Sequence, residues 1–246
     1  MKIDEFYKRY FTIRKCVSCG EFLPYEERDA VYCKECRLRW SIEKTKDCKK
    51  CMQAAVDCTC QPKELSEAGA LCLRKLVFYD KMPRSLSPQM RTIYRLKRKP
   101  HRRAELYVAR ELAPQISSEL SVLGLENSPQ SVIVTGVPRG GVSRRKYGMD
   151  QSARLVKAIG ECMGIDTAWL FYRTHILTGE QKSLNKRERF KNAKKYIALR
   201  EDVSVNGKYV ILFDDIVTSG ASMTACVKLL YKAGARGVFT FCIAQN

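Results

Sequence analysis

An apolar run followed by two carboxylates and a loop of small and hydroxyl residues is the segment of this sequence best suited to chemistry. Residues 209–222 read YVILFDDIVTSGAS. Asp214 and Asp215 can accept hydrogen bonds from two sugar hydroxyls, and the exposed amides at a following helix N-terminus can bind an anion. Gly220 allows the backbone to approach a phosphate closely. The segment therefore predicts a cradle for a ribose 5-phosphate.

Strands that end in acids also bind Mg²⁺ in many unrelated α/β proteins, so the acid pair alone leaves that alternative open. The full order of strand, acid pair, hydroxyl residues, glycine and helix resembles the signature of type I phosphoribosyltransferases. That resemblance implies binding of phosphoribosyl pyrophosphate (PRPP) with Mg²⁺, and Asp214 and Asp215 as the catalytic acids. The other PRPP contacts expected in this segment are Val217, Thr218, Ser219, Gly220, Ala221 and Ser222.

A second loop supports this interpretation. Residues 134–141, VTGVPRGG, form an apolar run followed by Pro138, Arg139, Gly140 and Gly141. An arginine can neutralise phosphate charge, and glycines permit close backbone contact. By itself the loop could be an ordinary turn. Its resemblance to the pyrophosphate loop of type I phosphoribosyltransferases implies that it holds the pyrophosphate end of PRPP.

Cysteines form two quartets in the first part of the chain. The quartets are Cys16, Cys19, Cys33 and Cys36, followed by Cys48, Cys51, Cys58 and Cys60. Pairs separated by two residues suit a tetrahedral zinc ion gripped from tight turns, although the Cys58–Cys60 spacing is less usual. Four thiolates leave no open position for catalysis, so we expect structural zinc. We expect the remaining Cys72, Cys162, Cys226 and Cys242 in the core.

The elements that position these motifs follow from the apolar pattern. Short apolar runs at 131–137, 168–172, 209–213 and 238–244 alternate with helix patterns near 104–112, 150–163 and 221–233. Strands that alternate with helices predict an α/β fold with a parallel sheet flanked by helices. The composition changes near residue 65. We therefore expect a small cysteine-rich, zinc-ribbon-like module over 1–65 and a phosphoribosyltransferase-like domain over 66–246.

The charge of the chain favours a polyanionic partner. Its 246 residues carry a formal net charge of +19, concentrated in the stretches 91–103 and 182–195. A basic stretch with an aromatic residue such as Tyr94 can track single-stranded nucleic acid, although a solvated basic surface is an equally good interpretation. No apolar run is long enough to span a membrane, and the N-terminal residues lack the apolar core of a secretory signal. We therefore expect a cytoplasmic protein without membrane insertion.

Two further segments are more specific. Residues 143–155 (SRRKYGMDQSARL) and 181–192 (QKSLNKRERFKN) resemble the ComF family of competence proteins, as do the N-terminal cysteine pairs. Met149 and Asp150 stand where that family has Phe and Asn. The resemblance covers nearly the whole chain and implies a hood loop over PRPP that contains Gln181, Arg189 and Asn192. It also implies DNA uptake during natural transformation, with single-stranded DNA and a DNA-uptake helicase or another competence protein as partners.

Three functions remain open from the sequence. The first is a ComF-like DNA-uptake factor with a PRPP-binding domain. The second is an active phosphoribosyltransferase that transfers ribose 5-phosphate to a nucleobase or an amine. The third is a regulator that binds PRPP without catalysing a reaction.

Overall fold

A computed structural model describes residues 14–79, 87–139, 151–174 and 185–246. Several predicted site residues lie outside these ranges. They are Gly140, Gly141, Gln181, and residues 143–150 and 184 of the two ComF-like segments.

The strands of the described chain form a parallel sheet and a short antiparallel pair. They are β1 (Ala70–Phe78), β2 (Val132–Gly136), β3 (Phe171–Arg173), β4 (Ile197–Leu199), β5 (Tyr209–Val217) and β6 (Gly237–Gln245). In the sheet the order is β1-β6-β5-β2, and each neighbouring pair is parallel. Strands β3 and β4 pair separately in antiparallel register. The carboxyl ends of the parallel strands therefore meet at one edge.

The helices connect these strands. They are α1 (Lys34–Lys44), α2 (Lys63–Glu67), α3 (Pro88–Arg98), α4 (Arg102–Val122), α5 (Gln151–Met163), α6 (Lys186–Tyr196) and α7 (Ala221–Lys232). Local sequence explains several boundaries. Pro88 occupies the first turn of α3 behind the Ser87 cap, and Asn185 with Glu188 forms a capping box at α6. Gly234, at φ +88°, follows α7.

Both faces of the sheet are covered by helices. Along β5, Val210 and Leu212 belong to one apolar cluster, whereas Ile211 and Phe213 belong to the other. The first cluster contains side chains of α7, and the second contains side chains of α4 and α5. Strand residues alternate between the two faces of a sheet, so a strand buried on both sides reads as a continuous apolar run. The α/β class, the parallel sheet and the N-terminal cysteine clusters are confirmed.

The cysteine-rich part packs directly on the rest of the chain. Trp40 and Tyr32 are almost fully buried, and their rings stack with centroids 5.8 Å apart. Tyr107 of α4 meets the Tyr32 ring edge-on at 4.8 Å. Apolar side chains of both parts form one cluster, and position 65 lies inside α2. The division at residue 65 stays a prediction.

The structure differs from the sequence-based expectations at several elements. Most of the basic stretch 91–103 belongs to α3 and the start of α4. The acid pair lies inside β5, which continues to Val217, because β6 pairs with it over that length. Part of the expected hood loop, with Arg189 and Asn192, forms α6. Cys162 is exposed on α5, and its expected place in the core is therefore wrong, whereas Cys72, Cys226 and Cys242 are buried.

Within the ranges given above, the structure contains no helix both long enough and apolar enough to cross a membrane.

Candidate functional site

The two acids lie where the loops after β2 and β5 converge. Asp215 is 5% exposed and Asp214 is partly exposed. The Asp215 amide donates a hydrogen bond to Oδ1 of Asp214 at 2.9 Å. Val137, just after β2, donates its amide to the Phe213 carbonyl at 2.9 Å. That bond brings the loop containing Arg139 beside the acids, at the edge of an open parallel sheet where ligands bind.

Two cations hold Asp215. Arg139 forms a hydrogen-bonded ion pair with Oδ2 of Asp215, and Nζ of Lys97 lies 3.2 Å from the same oxygen. Burial alone raises the pKa of Asp215, but Lys97 and Arg139 outweigh it and hold this pKa below the usual range of an aspartate. Asp215 is therefore ionised at neutral pH.

Asp214 behaves in the opposite way. Burial raises its pKa to about 7, and the negative charge of Asp215 adds to that effect. Arg139 acts in the other direction without cancelling it. A carboxyl group with a pKa near neutrality can both accept and release a proton under physiological conditions.

The loop after β5 has a backbone suited to an anion. Gly220 has φ +75°, a left-handed conformation that favours glycine, and it caps α7. Its carbonyl accepts the first helical hydrogen bond, from the Thr224 amide at 2.8 Å. A Cβ at Gly220 would lie 3.1 Å from Cγ of Pro62, so the neighbouring segment also restricts this position. The N-terminus of α7 and the hydroxyl groups of Thr218 and Ser219 before it line a cavity that also contains the two acids.

Two more arginines border this loop. Nε of Arg173 donates to the Pro138 carbonyl at 3.0 Å, and its Nη2 lies 3.5 Å from Oγ of Ser222. Burial lowers the pKa of Arg173 from its usual value. Nη1 of Arg189, on α6, donates to Oγ1 of Thr218 at 3.3 Å. Arg173 thus connects the loop after β2 to the first turn of α7, and both guanidinium groups add positive charge beside the hydroxyl groups.

All these elements line one cavity of about 570 Å³. Most of its described lining side chains and backbone groups come from β5, its loop, α3 and α6. The charged ones are Lys97, Arg98, Arg139, Arg173, Arg189, Asp214 and Asp215. Five cations thus face two acids among the described lining residues. This excess, together with the helix N-terminus, fits a ligand that carries several negative charges.

The structure brings together most of the predicted site residues that it describes. The cavity is lined by Arg139, Arg189, Asn192, Asp214, Asp215, Val217, Thr218, Ser219, Gly220, Ala221 and Ser222. Pro138 is connected to these residues because its carbonyl accepts a hydrogen bond from Arg173, which also lines the cavity. Whether these residues bind PRPP stays a prediction.

Sequence reasoning missed the contribution of α3 to the cavity. Tyr94, Lys97 and Arg98 line it, together with Tyr79 and Arg173. The signal in the sequence was the spacing of Tyr94, Lys97 and Arg98, which puts them on one helical face. Met90, Ile93 and Leu96 are all buried and lie on the adjacent face of α3, which packs on the core.

Each cysteine quartet could hold a metal ion. Within each quartet the four Sγ atoms lie within 4.8 Å of one another. The Sγ atoms of Cys19 and Cys33 are 3.7 Å apart, and those of Cys51 and Cys58 are 3.6 Å apart. A tetrahedral ion with Zn–S bonds of about 2.3 Å places its sulfurs roughly 3.8 Å apart, so these distances suit zinc.

The two quartets begin with the same kind of turn. The Gly20 amide donates to the Cys16 carbonyl at 3.0 Å, and the Met52 amide donates to the Cys48 carbonyl at 2.9 Å. Gly20 has φ +86°, and Met52 has φ +57° at the equivalent position. Burial raises the pKa of the Cys16 thiol, but backbone amides of Cys33, Cys19 and Ser18 outweigh it and lower this pKa to about 7. Amide hydrogen bonds of this kind favour the thiolate that a metal needs.

No protein-family model matches the chain, and no curated protein matches it. Similar solved structures include the allosteric regulatory enzyme of purine biosynthesis, with 22% identity, a TM-score of 0.31, and coverage of 45% of this chain and 21% of that one. A hypoxanthine phosphoribosyltransferase from Staphylococcus aureus has 13% identity and a TM-score of 0.34, with coverage of 58% and 63%. A hypoxanthine-guanine phosphoribosyltransferase of L. donovani has 12% identity and a TM-score of 0.36, with coverage of 57% and 71%.

The chain thus spans less than two thirds of the first two of these proteins. All three TM-scores are below one half, so these likenesses carry no conclusion about the function of this chain.

Proposed function

We propose that the cavity binds PRPP with Mg²⁺. The observation that carries this proposal is the meeting of an acid pair, a hydroxyl-rich helix N-terminus and five cations around one cavity. Asp214 and Asp215 would accept hydrogen bonds from the ribose hydroxyls. The amides and hydroxyls of 218–222 would hold the 5-phosphate. Arg139 and the loop that follows it would hold the pyrophosphate.

Mg²⁺ fits the donors that such a complex would offer. The ion prefers oxygen ligands, usually one or two carboxylates together with substrate phosphates. Asp214 and Asp215 supply carboxylate oxygens at the cavity, and PRPP would supply the phosphate oxygens. The ion would reduce the negative charge of the pyrophosphate.

PRPP binding is tested by calorimetry and by the thermal midpoint with PRPP and Mg²⁺. The native protein should become more stable, because a ligand that binds only the folded state adds about 2.7 kcal/mol at a hundredfold excess over Kd. Asp215→Asn should weaken binding, since it removes the carboxylate that Lys97 and Arg139 hold. Asp166→Asn, an exposed acid outside the cavity, is the matched control. A midpoint that PRPP does not change would reject the proposal.

For the whole chain we propose a ComF-like protein that acts on single-stranded DNA during uptake, with zinc in both cysteine quartets. The ComF-like segments and the positive charge of the chain support the DNA role. A cytoplasmic location fits the eight clustered cysteines, because their thiols must stay reduced to bind a metal ion and the cytoplasm is a reducing compartment. A DNA-uptake helicase or another competence protein would be the protein partner.

DNA binding is tested by titration of fluorescent single-stranded DNA at several salt concentrations. Affinity should fall steeply with salt, because phosphate contacts release counterions. Lys194→Gln with Lys195→Gln, at the exposed end of α6, should weaken binding and reduce the salt slope. Lys228→Gln with Lys232→Gln, on exposed positions of α7, changes the net charge equally and should have little effect. If both double variants lose the same affinity for DNA, binding depends on net charge alone and not on a site at α6.

An active phosphoribosyltransferase is the second candidate, favoured by the raised pKa of Asp214. In that reaction the bond from ribose C1 to pyrophosphate breaks, a bond from C1 to nitrogen of a base or amine forms, and Asp214 takes the proton from that nitrogen. A panel of nucleobases and amines with PRPP and Mg²⁺ is assayed for pyrophosphate release. Release that Asp214→Asn abolishes supports this candidate, and no release with any acceptor argues for a binding function alone.

A further inference from the structure

Lys75 is a charged side chain in the middle of an apolar strand. It lies in β1, between residues of the buried run, and its side chain is 0% exposed. A buried ammonium group without compensation is strongly unfavourable, so a lysine in such a place has partners that offset its lost hydration. The partners of Lys75 come from the second cysteine quartet.

The ammonium group of Lys75 makes three hydrogen bonds to that quartet. Its Nζ donates to the Cys58 carbonyl at 3.1 Å, to the Cys58 Sγ at 3.1 Å and to the Cys60 carbonyl at 3.0 Å. A lysine has three N–H donors, so these acceptors match its full capacity. Across the ranges that the structure covers, no carboxylate oxygen lies within 4.0 Å of this Nζ.

Neighbouring contacts hold the same loop against β1. Arg74 donates to the Asp57 carbonyl at 2.9 Å, and the Gln115 amide donates to the carbonyls of Val56 and Lys75 at 2.6 and 3.0 Å. Successive residues of the strand therefore bind successive carbonyls of the loop. This arrangement fixes the direction from which Lys75 meets Cys58.

Charge balance connects the lysine with a metal. A divalent ion with four thiolates carries a net charge of −2, and one ammonium group in contact reduces it to −1. In return the thiolates supply the negative charge that a buried ammonium group needs. Donors that contact a metal ligand also orient it and tune its affinity.

We propose that Lys75 is the positioning residue and counter-cation of a metal ion bound by Cys48, Cys51, Cys58 and Cys60. It fixes the Cys58 thiolate and couples occupation of this site to the docking of the loop on β1. The first quartet has no equivalent lysine contact among the described residues, so the two sites should respond differently to a change at Lys75.

The test is the release of zinc from the full-length protein to a chromophoric chelator, with Lys75→Met as the main variant. Methionine keeps much of the length and removes the charge and the donors. We expect one of two bound equivalents to lose about 10- to 100-fold in affinity, while the other is unchanged. Cys51→Ser, at an exposed ligand position, identifies which equivalent belongs to the second quartet. Unchanged affinity of both equivalents in folded Lys75→Met would overturn the proposal, as would a wild type that binds a single equivalent.

A spectroscopic readout separates this role from simple packing. In the Co²⁺-loaded protein, loss of an N–H donor to a thiolate should shift the thiolate-to-cobalt charge-transfer band of the second site and leave the first site unchanged. If Lys75→Met does not fold, Lys75→Gln, which keeps a donor N–H without the charge, is measured in the same way. A band and an affinity identical to wild type in folded Lys75→Met would mean that Lys75 serves packing only, and an unchanged affinity in Lys75→Gln would exclude its role as counter-cation.

Discussion

Asp214 and Asp215 are neighbours in sequence with opposite titration behaviour. Lys97 and Arg139 both contact Asp215, which stays ionised, and its charge then disfavours ionisation of Asp214. The pair therefore takes up one proton, on Asp214, as the pH falls through about 7. This asymmetry comes from side chains that lie far from the acids in sequence.

The raised pKa of Asp214 predicts a pH dependence of stability. An acid whose pKa is higher in the folded state stabilises the fold while it is protonated, and this contribution falls as pH rises from its ordinary pKa toward about 7. The free energy of unfolding of wild type, relative to Asp214→Asn, should therefore decrease by up to about 1.4 kcal/mol per pH unit in that window. Urea unfolding of both proteins between about pH 5 and pH 7 measures it. A difference that stays constant with pH would contradict the assignment.

Replacement of Met52 by glycine should stabilise the turn that begins the second cysteine quartet. Met52 adopts φ +57° where the first turn has Gly20, and its side chain is 68% exposed. Met52→Gly should stabilise the protein by about 0.5–1 kcal/mol, because the left-handed conformation costs a residue with a Cβ more than it costs glycine. Denaturant midpoints with metal present provide the measurement. The converse variant Gly20→Ala should be destabilising, and a loss of stability in Met52→Gly would show that its side chain contributes to packing.

At the scale of elements, α3 joins the first cysteine quartet to the cavity. Its apolar face packs in the core, and Arg95 donates to the Cys16 carbonyl at 3.3 Å. Oγ of Ser18, which lies in the turn between Cys16 and Cys19, donates to the Pro88 carbonyl at 3.1 Å. The remaining face presents Tyr94, Lys97 and Arg98 to the cavity. The helix therefore packs against the cysteine-rich part and the core, and it lines the cavity with its remaining face.

Two lysines at the end of α3 allow a matched comparison. Lys97 contacts Asp215, whereas Lys99 is exposed just after the helix. Lys97→Met should weaken PRPP binding by about tenfold or more, since a hydrogen bond to a charged group contributes about 1.5–3 kcal/mol. Lys99→Met removes the same charge and should leave PRPP affinity unchanged. Calorimetry with PRPP and Mg²⁺ gives both values, and equal affinities in the two variants would exclude Lys97 from the binding site.

At the scale of the molecule, the cysteine-rich part and the sheet share one apolar cluster. That cluster extends from Cys16 and Trp40 to strand residues such as Phe213 and Ile243. Lys75 and Arg74 add polar contacts between the second quartet and β1. The two parts should therefore unfold together, although they differ in composition.

Metal removal tests this coupling. Incubation of the reduced protein with a strong chelator should lower the thermal midpoint of the whole chain by about 10 °C or more, because the binding free energy of a structural metal is also folding free energy. Circular dichroism reports the sheet and helices, and tryptophan fluorescence of a Trp169→Phe variant, in which Trp40 is the remaining tryptophan, reports the cysteine-rich part. Both signals should change in one transition and recover on addition of zinc. Two separate transitions would show that the parts fold independently.

Local patterns in the sequence were sufficient for much of the fold. The apolar runs predicted β2, β5 and β6, because a strand that is buried on both faces has a continuous apolar sequence. Helix periodicity predicted α5 and α7, because a helix that is buried along one stripe has apolar residues every three or four positions. The cysteine spacing predicted both quartets, since each knuckle turn is a contact between near neighbours. The acid pair and its loop lie together for the same reason, being contiguous in the chain.

Only the tertiary structure decided which distant side chains complete these sites. Lys97 reaches Asp215 from α3, and Lys75 reaches Cys58 from β1, yet a lysine in either place is compatible with an ordinary solvated or apolar pattern. These contacts depend on how elements pack around the sheet, and no spacing along the chain encodes that packing. The sequence by itself determined the acid pair with its loop and the two cysteine quartets, and the packing of α3 and β1 determined the charges that surround them.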